Sequence, residues 1–407
     1  MKIRFLLALV GLAIGFALPT FAQQKEATPS ESTPAATPTP TPTLGDAYTQ
    51  VLPDRRVTFR LLAPKANAVE VVIGIKDQIY GPGVTTAEMT KDANGLWTVT
   101  LGPLEPNLYE YRFSLDGVSI TDRGNGMPKP QREIETSLLL VPGTPPDFLD
   151  DQTGAHGTIR DETYYSATLG KNRNVFVYTP PNYERSRASL PVLYLYHGFG
   201  DTRYDWVTEG RLAPILDNLL GQGKAVPMIV VVPEGHALPF ETMPVTHPGE
   251  FWPNLNDYWA KNQATADEEL FHDIIPFIQA HYNISDDSRE RAIAGFSMGG
   301  LQSVETGIVH LGYFSWIGAF SPVPLGSATS DEFKNALKDS NKINENLRLF
   351  EIVVGDNDGM NGPATAEFES QLRALNIQHV YTVLPGTHSM FVWRPALSNF
   401  LQEIFKH

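Results

Sequence analysis

The hexapeptide Gly295-Phe296-Ser297-Met298-Gly299-Gly300 restricts this chain more than any other feature. It stands between the apolar run Arg291 to Ala294 and the helix-forming stretch Leu301-Gln302-Ser303-Val304-Glu305. A strand that turns at once into a helix holds the serine in a strained backbone conformation, and glycines on either side remove side chains that would collide. The bare pattern G-x-S-x-G is weak, since it arises by chance in about one chain in ten of this size. Its place behind a buried β-run, with a third glycine and a helix after it, makes it the signature of a nucleophile elbow, with Ser297 as the candidate nucleophile.

A serine nucleophile needs a base, and chains with such an elbow present serine, acid and histidine in that order. His156 and five histidines from His197 to His281 precede the serine and are out of order. Of those that follow, His310 lies in the elbow helix, His379 begins a strand and His407 is terminal. His388, in the loop Pro385-Gly386-Thr387-His388-Ser389 just past the strand His379 to Leu384, is the candidate base. For the acid, the buried run Leu347 to Val354 ends in Gly355-Asp356-Asn357-Asp358-Gly359. Either aspartate could orient the imidazole, and spacing does not choose between them.

An oxyanion hole should combine the backbone N–H of Met298 with one from the loop His197-Gly198-Phe199-Gly200, where the N–H of Phe199 is the candidate. His197, out of order for a base, is expected to brace that loop. Phe199, Trp206, Trp252 and Trp393 could form a flat hydrophobic slot for an acyl group, and burial in the core is the competing fate of such aromatics.

Two grammars divide the folded part of the chain. Between Asp46 and Val141 short β-runs alternate with turns: Arg56 to Leu61, Ala68 to Ile73, Leu96 to Leu101, Leu108 to Leu115 and Ser137 to Val141, with Asn94-Gly95 and Asp116-Gly117 where hairpins would turn. This predicts a small all-β, immunoglobulin-like sandwich over residues 46–145. Trp97, Tyr109 and Tyr111 alternate as core residues should, so only a surface pair of aromatics would support sugar stacking. After a Pro/Asp-rich connector, apolar β-runs alternate with amphipathic helical stretches, which predicts an α/β-hydrolase sheet over residues 155–407 with its site at the carboxyl ends of the strands.

The amino terminus places Lys2 and Arg4 before an apolar run from Phe5 to Leu18, then Thr20-Phe21-Ala22. That is the pattern of a secretory signal peptide over residues 1–22; about 14 apolar residues are too few to span a bilayer. Residues 23–45 are rich in Pro, Thr, Ser and Ala and read as an extended tether. No cysteine is present, which excludes a lipoprotein attachment site, disulfides and thiol chemistry. The net charge of −15 and the scatter of the 31 basic residues exclude a nucleic-acid partner. No His/Asp cluster has metal-ligand spacing, and nothing calls for a cofactor. The expected location is periplasmic or extracellular, with no stable membrane insertion once the leader is removed.

The words Tyr194-Leu195-Tyr196-His197-Gly198-Phe199-Gly200, Asp205-Trp206, Ala292 to Gly300, Gly355-Asp356-Asn357-Asp358 and Gly386 to Leu397 resemble those of the esterase D-like carbohydrate esterases, which include feruloyl and acetylxylan esterases. The likeness runs from about Thr158 to Phe405. It implies that the last residue of the Gly-x-Asn-Asp word, here Asp358, is the acid. Thr387 stands where relatives often have glycine, and Ala237 to Asn256 matches less well. Val57 to Pro64, Asp92 to Trp97 and Leu108 to Phe113 resemble early-set sandwich modules related to glycogen-binding ones, which implies possible glycan contact. The resemblance implies a serine carboxylesterase acting on feruloylated or acetylated polysaccharide or oligosaccharide. The alternatives are an acetylxylan esterase, an enterobactin-type siderophore esterase and, in a different class, a non-catalytic glycan-binding protein.

Overall fold

The structure, a computed structural model, describes residues 48–76, 83–130, 136–185, 188–239, 255–323 and 329–406. The expected leader, the whole of the expected tether and Trp252 lie outside the described residues. Thr43–His407 forms one compact unit.

Ten strands build the amino-terminal sandwich: β1 (Gln50–Val51), β2 (Val57–Leu62), β3 (Val69–Gly74), β4 (Val84–Glu88), β5 (Thr90–Lys91), β6 (Leu96–Leu101), β7 (Asn107–Leu115), β8 (Val118–Ile120), β9 (Pro128–Lys129) and β10 (Thr136–Val141). One sheet has the order β1-β2-β6-β5 and the other β4-β3-β7-β10-β9, with β8 paired to β7. Asp116 and Gly117 both take positive φ, 49° and 85°, which suits the hairpin between β7 and β8. Val57, Phe59, Val71, Ile73, Tyr111 and Phe113 alternate inward and are wholly buried. Trp97 and Tyr109 are buried with them, at 7% and 2% exposure, so the module's prominent aromatics are core residues and offer no stacking face.

The second body is an eight-stranded sheet in the order β11-β12-β14-β13-β15-β16-β17-β18. Its strands are β11 (Thr158–Ser166), β12 (Lys171–Thr179), β13 (Val192–Tyr196), β14 (Ile229–Pro233), β15 (Arg291–Phe296), β16 (Trp316–Phe320), β17 (Leu349–Gly355) and β18 (Val380–Leu384). The first pairings are antiparallel and those from β14 to β18 parallel. Helices cover both faces, so β13, β14 and β15 are buried along their whole length. The helices that matter for the site are α1 (Tyr204–Val207), α2 (Leu212–Gly221), α3 (Leu255–Glu269), α4 (Ile275–His281), α5 (Met298–Val309), α6 (Asp331–Ala336), α7 (Ser340–Asn346), α8 (Gly362–Ala374) and α9 (Met390–Glu403). Helix α3 runs from Leu255 into a π-turn at Leu270–Ile274 and continues as α4. Inside that turn Asp273 accepts from Ser166 Oγ at 2.9 Å and from the N–H groups of Ala167 and Thr168, tying the helix to the end of β11.

The sandwich docks on the hydrolase through α9. Arg394, 1% exposed, donates to Asn107 Oδ1 at 2.9 Å and to the carbonyl of Leu108 at 3.1 Å on β7. Phe391 packs its ring on Tyr109, centroids 5.7 Å apart. Residues 107–109 of the sandwich are thus held against the first turns of the helix that follows the His388 loop.

Candidate active site

The turn from β15 into α5 puts Ser297 at φ 52° and ψ −114°, a conformation that costs an L-residue about 1–3 kcal/mol. The flanking glycines are obligatory. A Cβ on Gly295 would sit 2.6 Å from the carbonyl of Gly299, and a Cβ on Gly299 would sit 2.6 Å from the carbonyl oxygens of Tyr196 and His197. Ser297 N–H donates to the Phe320 carbonyl at 2.8 Å and its own carbonyl accepts from Val323 N–H at 3.1 Å, so neighbouring β16 holds the strained residue from both sides.

His388 follows β18. Its Nε2 lies 3.0 Å from Ser297 Oγ and its Nδ1 lies 2.9 Å from Asp358 Oδ2. Asp358 is 4% exposed, and its other oxygen accepts from the N–H groups of Asn361 at 2.8 Å and Met360 at 3.1 Å. Burial alone would raise this carboxyl. The hydrogen bond and charge of His388 and the Asn361 N–H outweigh it and hold Asp358 below the ordinary carboxylate range. Asp356, exposed, faces away from the imidazole and accepts from Gly386 N–H at 2.9 Å, which braces the histidine loop. That loop is pressed on the acid loop: a Cβ on Gly355 would meet the Gly386 carbonyl oxygen at 2.4 Å.

Phe199 and Met298 come together beside the serine. Their side chains join Tyr258 and Trp259 of α3, with Leu238 and Val323 against them. The Phe199 ring lies 4.9 Å from that of Trp259 and 5.6 Å from that of His236, and His236 Nδ1 is 2.6 Å from Tyr258 Oη. His197 lies behind the loop, fully buried. Its Nδ1 donates to the Gly198 carbonyl at 2.8 Å; its Nε2 faces Gly235 N–H at 2.8 Å and Glu234 Oε1 at 3.0 Å. Burial lowers its affinity for a proton, but Glu234 more than offsets this and pulls His197 up.

Two expected slot residues belong to the core instead. Trp206 is wholly buried, donates to the Tyr196 carbonyl at 2.8 Å and meets Phe296 edge-on. Trp393, 2% exposed, stacks on Phe296 and sets its ring against His388, centroids 4.9 Å apart at 87°. Both sit under the site because α1 and α9 pack on the face of the sheet that β15 presents to them. The aromatics the sequence reading missed, Tyr258 and Trp259, stand in the first turns of α3.

A mostly parallel sheet that carries serine, aspartate and histidine beyond β15, β17 and β18, in that order, defines the class: an α/β-hydrolase. Within it, the chain belongs to the putative esterase family, which matches residues 166–404. Residues 43–129 match carbohydrate-binding module 48, the isoamylase N-terminal domain. The chain is 30% identical over 379 residues to an endo-1,4-β-xylanase/feruloyl esterase of Xylanibacter ruminicola, covering 91% of this chain and 47% of that protein. It thus spans about half the length of this curated relative. The CE1 ferulic acid esterase of the anaerobic fungus Anaeromyces mucronatus superposes with a TM-score of 0.53 at 26% identity, over 63% of this chain and 94% of its own, and has also been solved with ferulic acid. The enterochelin esterase of Shigella flexneri shares the fold over 88% of this chain and 95% of its own, with a TM-score of 0.61 at 17% identity.

Proposed function

We propose that this protein is an exported serine carboxylesterase that releases ferulic or a related hydroxycinnamic acid from acylated plant polysaccharide, (arabino)xylan above all. The observation that carries the reading is the Ser297–His388–Asp358 relay, with both hydrogen bonds formed at 3.0 and 2.9 Å. Ser297 Oγ attacks the ester carbonyl as His388 Nε2 takes its proton. Asp358 keeps Nδ1 protonated and steadies the imidazolium that forms. The N–H groups of Met298 and Phe199 receive the developing oxyanion, each donor worth about 3 kcal/mol in the transition state. His388 then gives its proton to the departing sugar hydroxyl, and water, activated by the same imidazole, frees the acid from Ser297.

The acyl preference rests on a different observation. Phe199, half-buried beside Met298 and backed by the buried rings of Tyr258 and Trp259, presents an aromatic face next to Ser297 that suits a flat phenolic acyl group better than acetate. The similarity to a xylanase/feruloyl esterase over 91% of the chain supports the same choice. The segment from Lys2 to Ala22, charged and then apolar, supports action outside the cytoplasm. No helix among the described residues is long and apolar enough to cross a membrane.

The test is release of free acid from methyl ferulate, acetylated xylan and a catecholate siderophore ester, with the Ser297→Ala protein as blank. Preferential ferulate release is expected. Acetate release alone would keep the mechanism and overturn the acyl preference, and silence on all three would leave a glycan-binding protein.

A further inference from the structure

Among the described residues of the sandwich is a buried cation, Lys129, that the reaction above does not use. Lys129 on β9 is 6% exposed, with Nζ 2.7 Å from Glu209 Oε2 of the hydrolase and 3.4 Å from Glu110 Oε2 of β7. Glu110 is fixed in turn by Thr136 Oγ1 at 2.5 Å. Glu209 closes a short acidic segment, residues 201–209, that leads directly out of the loop bearing Phe199. At its start, Asp201 Oδ2 lies 2.9 Å from the point where a Cβ on Gly198 would be. In its middle, Asp205 is 1% exposed. One carboxylate oxygen accepts from Thr202 N–H at 2.7 Å and the other makes no hydrogen bond.

A buried carboxylate oxygen with no donor needs a neighbouring positive charge. Lys129 brings one to the end of this segment through Glu209, and burial pushes Asp201 and Asp205 themselves up toward the protonated form. The remaining charges facing this cluster are Arg394 of α9, which feels Glu209, and Arg211, bound to the Leu149 carbonyl. Arg394 already spends its donors on Asn107, Leu108 and Met390.

We propose that Lys129, supplied by the sandwich, is a positioning residue for the esterase site, its ammonium clamping residues 201–209 so that the loop carrying Phe199 keeps its place beside Ser297. The module then acts as part of the catalytic scaffold. The proposal rests on ester hydrolysis at Ser297 but on no particular acyl group.

Without the ammonium, Glu209 is left buried beside Glu110 with no cation between them, and the segment that leads out of the Phe199 loop shifts. The experiment compares Lys129→Met, Lys129→Arg and the double variant Lys129→Met/Glu209→Gln with the wild type on p-nitrophenyl acetate. Circular dichroism and Tm report the folded fraction. For Lys129→Met, kcat should fall about 10- to 100-fold, the loss typical of a site component displaced by an ångström or so, with KM nearly unchanged. Lys129→Arg should recover most of kcat, and the double variant, which also removes the stranded carboxylate, should bring kcat back toward the wild type. A folded Lys129→Met with wild-type kcat overturns the proposal. So does a double variant no better than the single one, which would mark a merely structural residue. If wild-type turnover only matches Ser297→Ala, the esterase reading and this proposal fail together.

Discussion

The ring of Trp393 lies flat on that of Phe296, centroids 4.1 Å apart and planes 13° from parallel. Phe296 immediately precedes Ser297, and Trp393 follows His388 by little more than one helical turn, so the stack ties strand β15 to helix α9. The same indole sets its plane at 87° to the His388 ring. Ser297 and His388 are therefore registered through a shared aromatic layer as well as through their hydrogen bond.

Trp393→Ala should cost about 3–5 kcal/mol of stability, as a large ring removed from a packed core does, and should depress turnover because His388 loses its backing. Trp393→Phe should be far milder, since the indole N–H is buried without a hydrogen bond and its removal strands no partner. Thermal unfolding followed beside ester turnover checks both. Equal damage from the two variants would mean the stack is not what matters.

Ser297 stores strain that a glycine would release. Ser297→Ala and Ser297→Gly should both be inactive, yet the glycine variant should be the more stable by about 1 kcal/mol, because φ 52° with ψ −114° is open to glycine alone. A glycine variant that melts at or below the alanine variant would mean that the elbow stores no such strain.

The two aspartates of the acid loop should separate cleanly. Asp358→Asn removes the acceptor that selects the productive imidazole tautomer, and kcat should fall by about 10³- to 10⁴-fold. Asp356→Asn keeps an oxygen for Gly386 N–H and should stay within about threefold of wild type. Steady-state kinetics of the pair decide it, and the reverse ranking would move the acid to Asp356.

Glu351 should make stability depend on pH. It is buried on β17 with one oxygen unbonded, and burial followed by the charge of Glu403 pushes it up to about 7. In the unfolded chain the same group ionises near 4.5. Between those values the folded state holds a proton that the unfolded state has released, so stability falls as pH rises through this window and is unaffected below it. Glu351→Gln should therefore stabilise the protein by about 1–2 kcal/mol at pH 8 and hardly at all at pH 4, read from denaturant unfolding at the two pH values. A gain equal at both would show that Glu351 is not the titrating group.

The amino-acid sequence by itself determined what depends on neighbours along the chain. The elbow glycines, the alternation in β2, β3 and β7, the Asp116-Gly117 hairpin and the serine–acid–histidine order are all patterns of short period or fixed succession, and each follows from local sterics and burial. Only the tertiary structure decided what depends on residues meeting across the fold. It turned Asp358 toward His388 and Asp356 toward Gly386, although two positions separate them. It sent Trp206 and Trp393 under the sheet and brought Tyr258 and Trp259 beside Met298, because a side chain's face is set by the element that packs over it. It joined Arg394 to Asn107 and Lys129 to Glu209, from opposite bodies of the molecule. Such contacts carry no signal in the spacing of residues; they exist because a buried charge or ring must find its partner wherever close packing delivers one.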